Sequence, residues 1–253
     1  MTDRGVFGSG LRFLGEQPEI GSIDSVGSVL RGDEPGYTLE LWVQIDRVHL
    51  SRIASMLRVR DEQHPGITRL CALETMGDAQ SLGSSTGEEV NAKPGSLRFY
   101  QRSPIDTQTA AGVNLWPAKP YAVGQWALLT AVRSEQQITL YLDGKAIAQS
   151  DCEREIAWPV TMRVGSFLTD DPSIEDRRPF SGIVDEVAVY PYALDAERIE
   201  SRYRLGLEAL QARGELVTNA SLSAAMQTLN TAQPTVPLMA EPIPGEVRTT
   251  VDP

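Results

Sequence analysis

The chain has 253 residues, 41% hydrophobic and 6% aromatic, with 34 Asp and Glu against 23 Lys and Arg, for a net charge of −11. A chain of this size can bury a core without disulfide support, as one large all-β domain or two small ones. The acidic balance argues against nucleic-acid and anionic-membrane partners, which need clustered Lys and Arg, and no run of about 18 apolar residues is present to span a bilayer.

The strongest local signals have a period of two. Residues 10–13 form a first, weak strand pattern. Residues 37–45 are clearer: Tyr37, Leu39, Leu41, Val43 and Ile45 share one face, and Thr38, Glu40 and Gln44 share the other with Trp42. This is the alternation of a half-buried strand. Residues 53–59, 68–73 and 96–100 are weaker strands. The polar stretch 75–94, rich in Gly, Ser and Glu, reads as a long loop.

Residues 126–132 read as a strand buried on both faces. Residues 138–142 and 145–148 flank Asp143-Gly144, a pair that tolerates the positive φ angles of a two-residue hairpin turn. Residues 160–164 form a further strand. The stretch 170–179, with Asp170, Asp171, Glu175 and Asp176 beside Arg177 and Arg178, reads as a solvated loop.

The segment 180–190, Phe-Ser-Gly-Ile-Val-Asp-Glu-Val-Ala-Val-Tyr, is the last strand. It sets Asp185 on the face of Ile183, Val187 and Val189, and Glu186 on the face of Ala188 and Tyr190. A carboxylate in that setting needs a cation or several donors. Pro191 follows. Asp195 then caps a helix in which Ile199, Tyr203, Leu207 and Leu210 recur at helical spacing, to about Arg213.

Beyond Val217 the residues are polar or small, with a short amphipathic helix around 221–229. Asn219-Ala-Ser221 matches a glycosylation acceptor. Residues 233–253, punctuated by Pro234, Pro237, Pro242, Pro244 and Pro253, read as a disordered tail or linker.

Short strands joined by Gly, Pro, Asp and Ser turns, without a strand–helix rhythm, point to an all-β antiparallel two-sheet sandwich. Cys71 and Cys152 are either a bridge or two buried thiols. With only His49 and His64 beside them, no zinc spacing exists. Met1-Thr-Asp-Arg-Gly-Val-Phe7 lacks the apolar core of a signal peptide.

Three segments taken together, Tyr37-Thr-Leu-Glu-Leu-Trp-Val43, Gly124-Gln-Trp-Ala-Leu-Leu-Thr-Ala-Val132 with Leu140-Tyr-Leu-Asp-Gly144, and residues 180–190 with Ala193-Leu194, carry a family signature. In this order and spacing the chain resembles the laminin-G-like, concanavalin A-like lectin/glucanase superfamily domain of the bacterial multidomain type. The resemblance covers roughly residues 10–206. It implies a jelly-roll sandwich over 1–206 whose first and last strands lie side by side, which places residues 10–14 near 183–190. A helical extension over 207–232 and a tail over 233–253 follow.

The resemblance also implies a usually non-catalytic module of a surface or secreted protein, extracellular or periplasmic, that binds a glycan or protein through loops of the sandwich. The alternative is a structural domain that packs on its neighbours, and a remoter one is a glycoside hydrolase. Hydrolysis needs two facing carboxylates, and no strand carries alternating acids. Many relatives hold one structural Ca²⁺. The positions that match here are Asp185 together with Gly15 and Glu16, where Phe13-Leu-Gly-Glu16 stands in place of Phe-Asp-Gly. For a glycan, the aromatic and amide candidates are Trp116, Tyr121 and Asn114 in the stretch 114–124, with Tyr100 and Trp158 as others.

Overall fold

A computed structural model of the protein describes residues 1–15, 22–77, 80–83, 89–102, 112–117, 120–152, 158–166, 178–215 and 240–242. The period-two segments form strands: β1 (Thr2–Gly5), β2 (Gly8–Leu14), β3 (Ile23–Asp24), β4 (Tyr37–Ile45), β5 (Ser51–Arg58), β6 (Arg69–Thr75), β7 (Gln80–Gly83) and β8 (Glu89–Ala92). There follow β9 (Leu97–Arg102), β10 (Gly112–Leu115), β11 (Trp126–Arg133), β12 (Gln137–Leu142), β13 (Lys145–Asp151), β14 (Val160–Val164) and β15 (Ser181–Tyr190), then the helix α1 (Ala196–Ala212) and β16 (Ala240–Pro242).

Two sheets face each other, and every strand pairing is antiparallel. The first runs β1-β2-β15-β4-β11-β12-β13 and the second β16-β10-β9-β6-β5-β14-β3. The hydrophobic faces of both meet in one core. Tyr37, Leu39, Leu41, Val43 and Ile45 of β4 lie opposite Ile53, Met56, Leu73 and Phe99 of the second sheet. The first and last long strands are neighbours, with Leu11 opposite Val184 and Leu14 opposite Ser181. The hairpin between β12 and β13 turns at Asp143 (φ 54°) and Gly144 (φ 77°), the two left-handed positions such a turn requires.

The other face of β4 is covered rather than solvated. Thr38, Glu40 and Trp42 are all buried. Helix α1 lies over them, capped by Asp195, whose Oδ1 accepts from the Arg198 amide at 2.8 Å. Tyr203 stacks on Trp42 with centroids 5.7 Å apart. Gly206 makes the closest approach: a Cβ there would sit 2.0 Å from Trp42 Cζ2. The helix runs unbroken through residue 206, so it is one element with the sandwich it covers.

Several expectations change. β15 is not a continuous alternation. Asp185 pairs with Trp42 and Ala188 with Glu40, so two residues, Glu186 and Val187, stand opposite the single Leu41. Glu186 takes φ 50° to make this bulge. The extra residue inverts the parity. Val187 and Val189 pack on the main core, whereas Asp185 faces outward toward the side of Trp42. The stretch 75–94 is not all loop, since β7 and β8 pair within it.

In the tail, Ala240–Pro242 forms a strand on the edge of β10. Pairing at a sheet edge runs through the backbone and needs no side-chain alternation, so no pattern announces it. The charged stretch 170–177, the helix around 221–229, Asn219 and the rest of the tail lie outside the described residues. Both cysteines are buried free thiols. Burial raises the Cys71 pKa to about 12, only partly countered by its hydrogen bond with Tyr37.

Candidate functional site

Since α1 covers the outer face of the first sheet, the outer face of the second is the one without a helix over it among the described residues. Its side chains follow from alternation. Leu97, Phe99 and Gln101 of β9 turn inward, which turns Arg98, Tyr100 and Arg102 outward. Register then sets Arg52 of β5 opposite Glu74 of β6, Glu74 opposite Arg98, and Tyr100 opposite Asn114 of β10.

Glu74 is the hub and is fully buried. Its Oε1 accepts from Arg52 Nη2 at 2.5 Å and from Arg178 Nη1 at 2.8 Å, and its Oε2 accepts from Arg98 Nη1 at 3.1 Å. Burial alone pushes this carboxyl's pKa up. The guanidiniums of Arg52, Arg98 and Arg178 outweigh burial and bring it down to about 2. Arg52 Nη1 also donates to the Tyr100 hydroxyl at 2.7 Å. The guanidiniums of Arg98 and Arg102 lie 4.8 and 4.4 Å from the Tyr100 ring centre. Burial lowers the pKa of Arg102 to about 10, and Arg69 beside it is lowered for the same reason. Arg52, Arg69, Arg102 and Arg178 make further contacts beyond these.

The corner of this face is built from Arg98, Asn114 and Trp116. Asn114 Oδ1 accepts from Arg98 Nε and Nη2 at 3.1 and 2.7 Å. The Arg98 guanidinium lies 4.7 Å over the Trp116 ring. The Trp116 indole N–H is buried and has no acceptor. An orphaned buried donor of this kind costs about 1–3 kcal/mol.

The structure therefore brings Trp116 and Asn114 together but not Tyr121. Tyr121 belongs to the main core, 7% exposed. Its amide is tied to Gly95 O at 2.9 Å, and its hydroxyl donates to Arg47 O at 3.4 Å. Trp116 is also not a bare stacking platform, because Arg98 occupies one face of its ring. Tyr100 is buried among arginines, and Trp158 lies under Arg58 at 4.6 Å. Sequence reasoning missed Arg52, Glu74, Arg98 and Arg178. Each is a charge at an outward position of, or just before, a strand, and only the cross-strand register makes them neighbours.

Of the residues the resemblance implies for calcium, Gly15 and Asp185 do not come together. Gly15 adjoins Ser181, and Asp185 lies four residues further along β15, roughly 13 Å at the strand rise. Both oxygens of Asp185 accept from backbone, Oδ2 from the Phe7 amide and Oδ1 from the Glu186 amide, each at 3.0 Å. Glu16 lies outside the described residues. Among those described, no three His, Cys, Asp or Glu side chains converge.

On the helix-covered side a cleft of about 310 Å³ is lined by Phe7, Glu40, Trp42, Glu186, Arg202 and Leu205. Glu40 is engaged on both oxygens, by Arg202 and by the Thr130 hydroxyl.

A sequence model of the concanavalin A-like lectin/glucanases superfamily matches residues 23–200. No curated protein matches the chain. Among solved structures, the chain is similar to the native heptameric SAP-like pentraxin from Limulus polyphemus, with 13% identity, TM-score 0.55, and 79% of this chain and 83% of that one covered. It is also similar to domain 4 of AbnA, an extracellular arabinanase from Geobacillus stearothermophilus, in complex with arabinotriose: 16% identity, TM-score 0.51, 79% of each chain. The binding domain of botulinum neurotoxin serotype G aligns at 9% identity and TM-score 0.53, over 81% of this chain and 44% of that one. At these identities the likeness is one of fold. Among the described residues no helix is long and apolar enough to cross a membrane.

Proposed function

The chain belongs to the concanavalin A-like lectin/glucanases superfamily, and from that premise we propose that it is a non-catalytic recognition module of a larger surface or secreted protein. In this reading it binds a glycan on the outer face of its second sheet. The observation that carries the reading is the corner of Arg98, Asn114 and Trp116, where a buried indole N–H is held without an acceptor on the face that α1 does not cover. A structural framework alone gains nothing from that orphaned donor, whereas a ligand oxygen would satisfy it. The arabinanase domain of similar fold, seen with arabinotriose, supports an oligosaccharide as the kind of ligand this sandwich accommodates. The non-catalytic assignment is supported by Glu40, whose two oxygens are already engaged.

Glycan-array binding of the full chain tests this. Trp116→Ala is expected to abolish binding while the melting temperature stays within a few degrees of the parent. Binding that survives the substitution removes the site. A second reading, packing against neighbouring domains, draws on Phe7 and Leu205, which are 48% and 55% exposed beside α1. An array without any hit would favour it.

A further inference from the structure

We propose that the cleft between α1, the bulge of β15 and the turn after β1 is a docking site for a basic segment of a partner protein, and that it receives one Lys or Arg side chain flanked by apolar residues. This rests on the reading of Phe7 and Leu205 as a packing surface, and it is independent of the glycan site on the other sheet. The cleft, about 310 Å³, lies at the lower end of the ~300–1,000 Å³ of ligand sites, which suits one long side chain rather than an oligosaccharide.

Trp42 and Glu40 line the cleft from buried positions, and Phe7 and Leu205 stand at its rim, 48% and 55% exposed. Two of its walls come from different elements yet are fixed by one carboxylate. Asp185 accepts from the Phe7 amide through Oδ2 and from the Glu186 amide through Oδ1, each at 3.0 Å. Walls set in place before a partner arrives have little ordering entropy left to lose. Glu186 also holds φ 50°, a conformation that glycine adopts without steric cost, so its exposed side chain is kept at the rim against local strain.

Charge decides what the cleft receives. Arg202 is already matched: Glu40 pairs with it, and its guanidinium lies 5.3 Å over the Tyr190 ring. The other arginines of α1 are matched as well, Arg198 by Asp195 and Arg204 by Glu200. Among the described residues nothing pairs with the Glu186 carboxylate. The lining thus holds two carboxylates, Glu40 and Glu186, against one guanidinium, and the whole chain carries −11. Near and far fields both favour a cation here. A Lys or Arg side chain fits on both counts, since its methylenes pack on Phe7 and Leu205 while its head meets Glu186. A neutral apolar segment would desolvate that carboxylate and leave it unpaired.

NMR titration of the full chain at low salt with three peptides tests the proposal: acetyl-Leu-Lys-Leu-amide, its norleucine analogue and its glutamate analogue. The amides of Phe7 and Leu205 should shift with the lysine peptide, which is expected to bind about ten-fold tighter than the norleucine peptide, the gain of one charge-assisted contact. The glutamate peptide should bind more weakly still. Raising the salt should shrink these differences. Glu186→Gln removes the charge alone and should bring the lysine peptide to the level of the norleucine peptide, with the urea midpoint close to the parent's. Leu205→Ser should weaken the lysine and norleucine peptides alike.

Equal affinity for the lysine and norleucine peptides overturns the cationic anchor and leaves packing on Phe7 and Leu205 standing, as does lysine-peptide binding untouched by Glu186→Gln. If no peptide shifts Phe7 or Leu205, both fall. n-Butylamine binding as tightly as the lysine peptide would assign the cleft to a small amine, and a dimer that Leu205→Ser dissociates would seat a second copy there; either result overturns docking of a partner segment. The glycan site is decided separately, by Trp116→Ala on the array.

Discussion

Replacing Glu74 by Gln removes one charge from the centre of the second sheet's outer face and leaves its shape. Three guanidiniums, of Arg52, Arg98 and Arg178, then lose their shared carboxylate. Arg52 is 2% exposed and Glu74 fully buried, so water replaces little of what is lost. Breaking a buried pair by removing one partner costs about 3–5 kcal/mol.

Proton linkage gives an independent figure. The folded pKa of Glu74 is about 2, below the ordinary 4.5. Ionised Glu74 therefore stabilises the fold above the unfolded value, by about 3 kcal/mol at neutral pH. That contribution fades as pH falls through the window from about 4.5 to about 2, and about 2 kcal/mol of it is gone by about pH 3.

Urea unfolding of the parent and Glu74→Gln, at neutral pH and near pH 3, measures both effects. The variant should be less stable by about 3–5 kcal/mol at neutral pH, and the gap should narrow by about 2 kcal/mol in acid. Other carboxylates titrate in both proteins and cancel in the difference. A neutral-pH gap under about 1 kcal/mol, or a gap independent of pH, would refute the hub role of this carboxylate.

Three further outcomes can be checked on the same protein. Gly206→Ala, which in an exposed helix interior would add about 1 kcal/mol, should instead destabilise by about 1–3 kcal/mol, because its Cβ would lie 2.0 Å from Trp42 Cζ2. A gain in urea midpoint would mean that α1 does not seat on Trp42 as described. Glu186→Gly should stabilise slightly, by about half a kcal/mol, since relief of the left-handed φ of 50° outweighs glycine's chain entropy. A loss of about 1 kcal/mol or more in denaturant titration would contradict the bulge. Cys71 and Cys152 should resist a thiol reagent at mildly alkaline pH in the native protein and react once unfolded. Burial pushes Cys71 to a pKa of about 12, which keeps the thiolate scarce. Rapid native labelling would count against a closed core.

What could be read from the sequence is what depends on one strand at a time. The two faces of β4, the Asp143-Gly144 hairpin and the Asp195 cap each follow from residues within a few positions of one another, and the structure contains all three. What could not be read depends on register between strands far apart in the chain. Glu74 and Arg98 are 24 positions apart and Glu74 and Arg178 are 104 apart, so the site they form leaves no local pattern.

Asp185 is the sharper case, because counting along the strand is all the sequence offers for its surroundings. Counting by two assumes one residue per partner, and β15 places two opposite Leu41. Bulges of this kind are often marked by glycine, which takes positive φ without strain. Here the position is Glu186, so nothing in the residue type signals the inversion. The carboxylate therefore lies on the outer face, where the Phe7 and Glu186 amides satisfy it. The same acid that reads as a buried charge in need of a cation becomes a clamp. It holds the turn after β1 against the last strand, and it does so with backbone donors that no sequence pattern could have named.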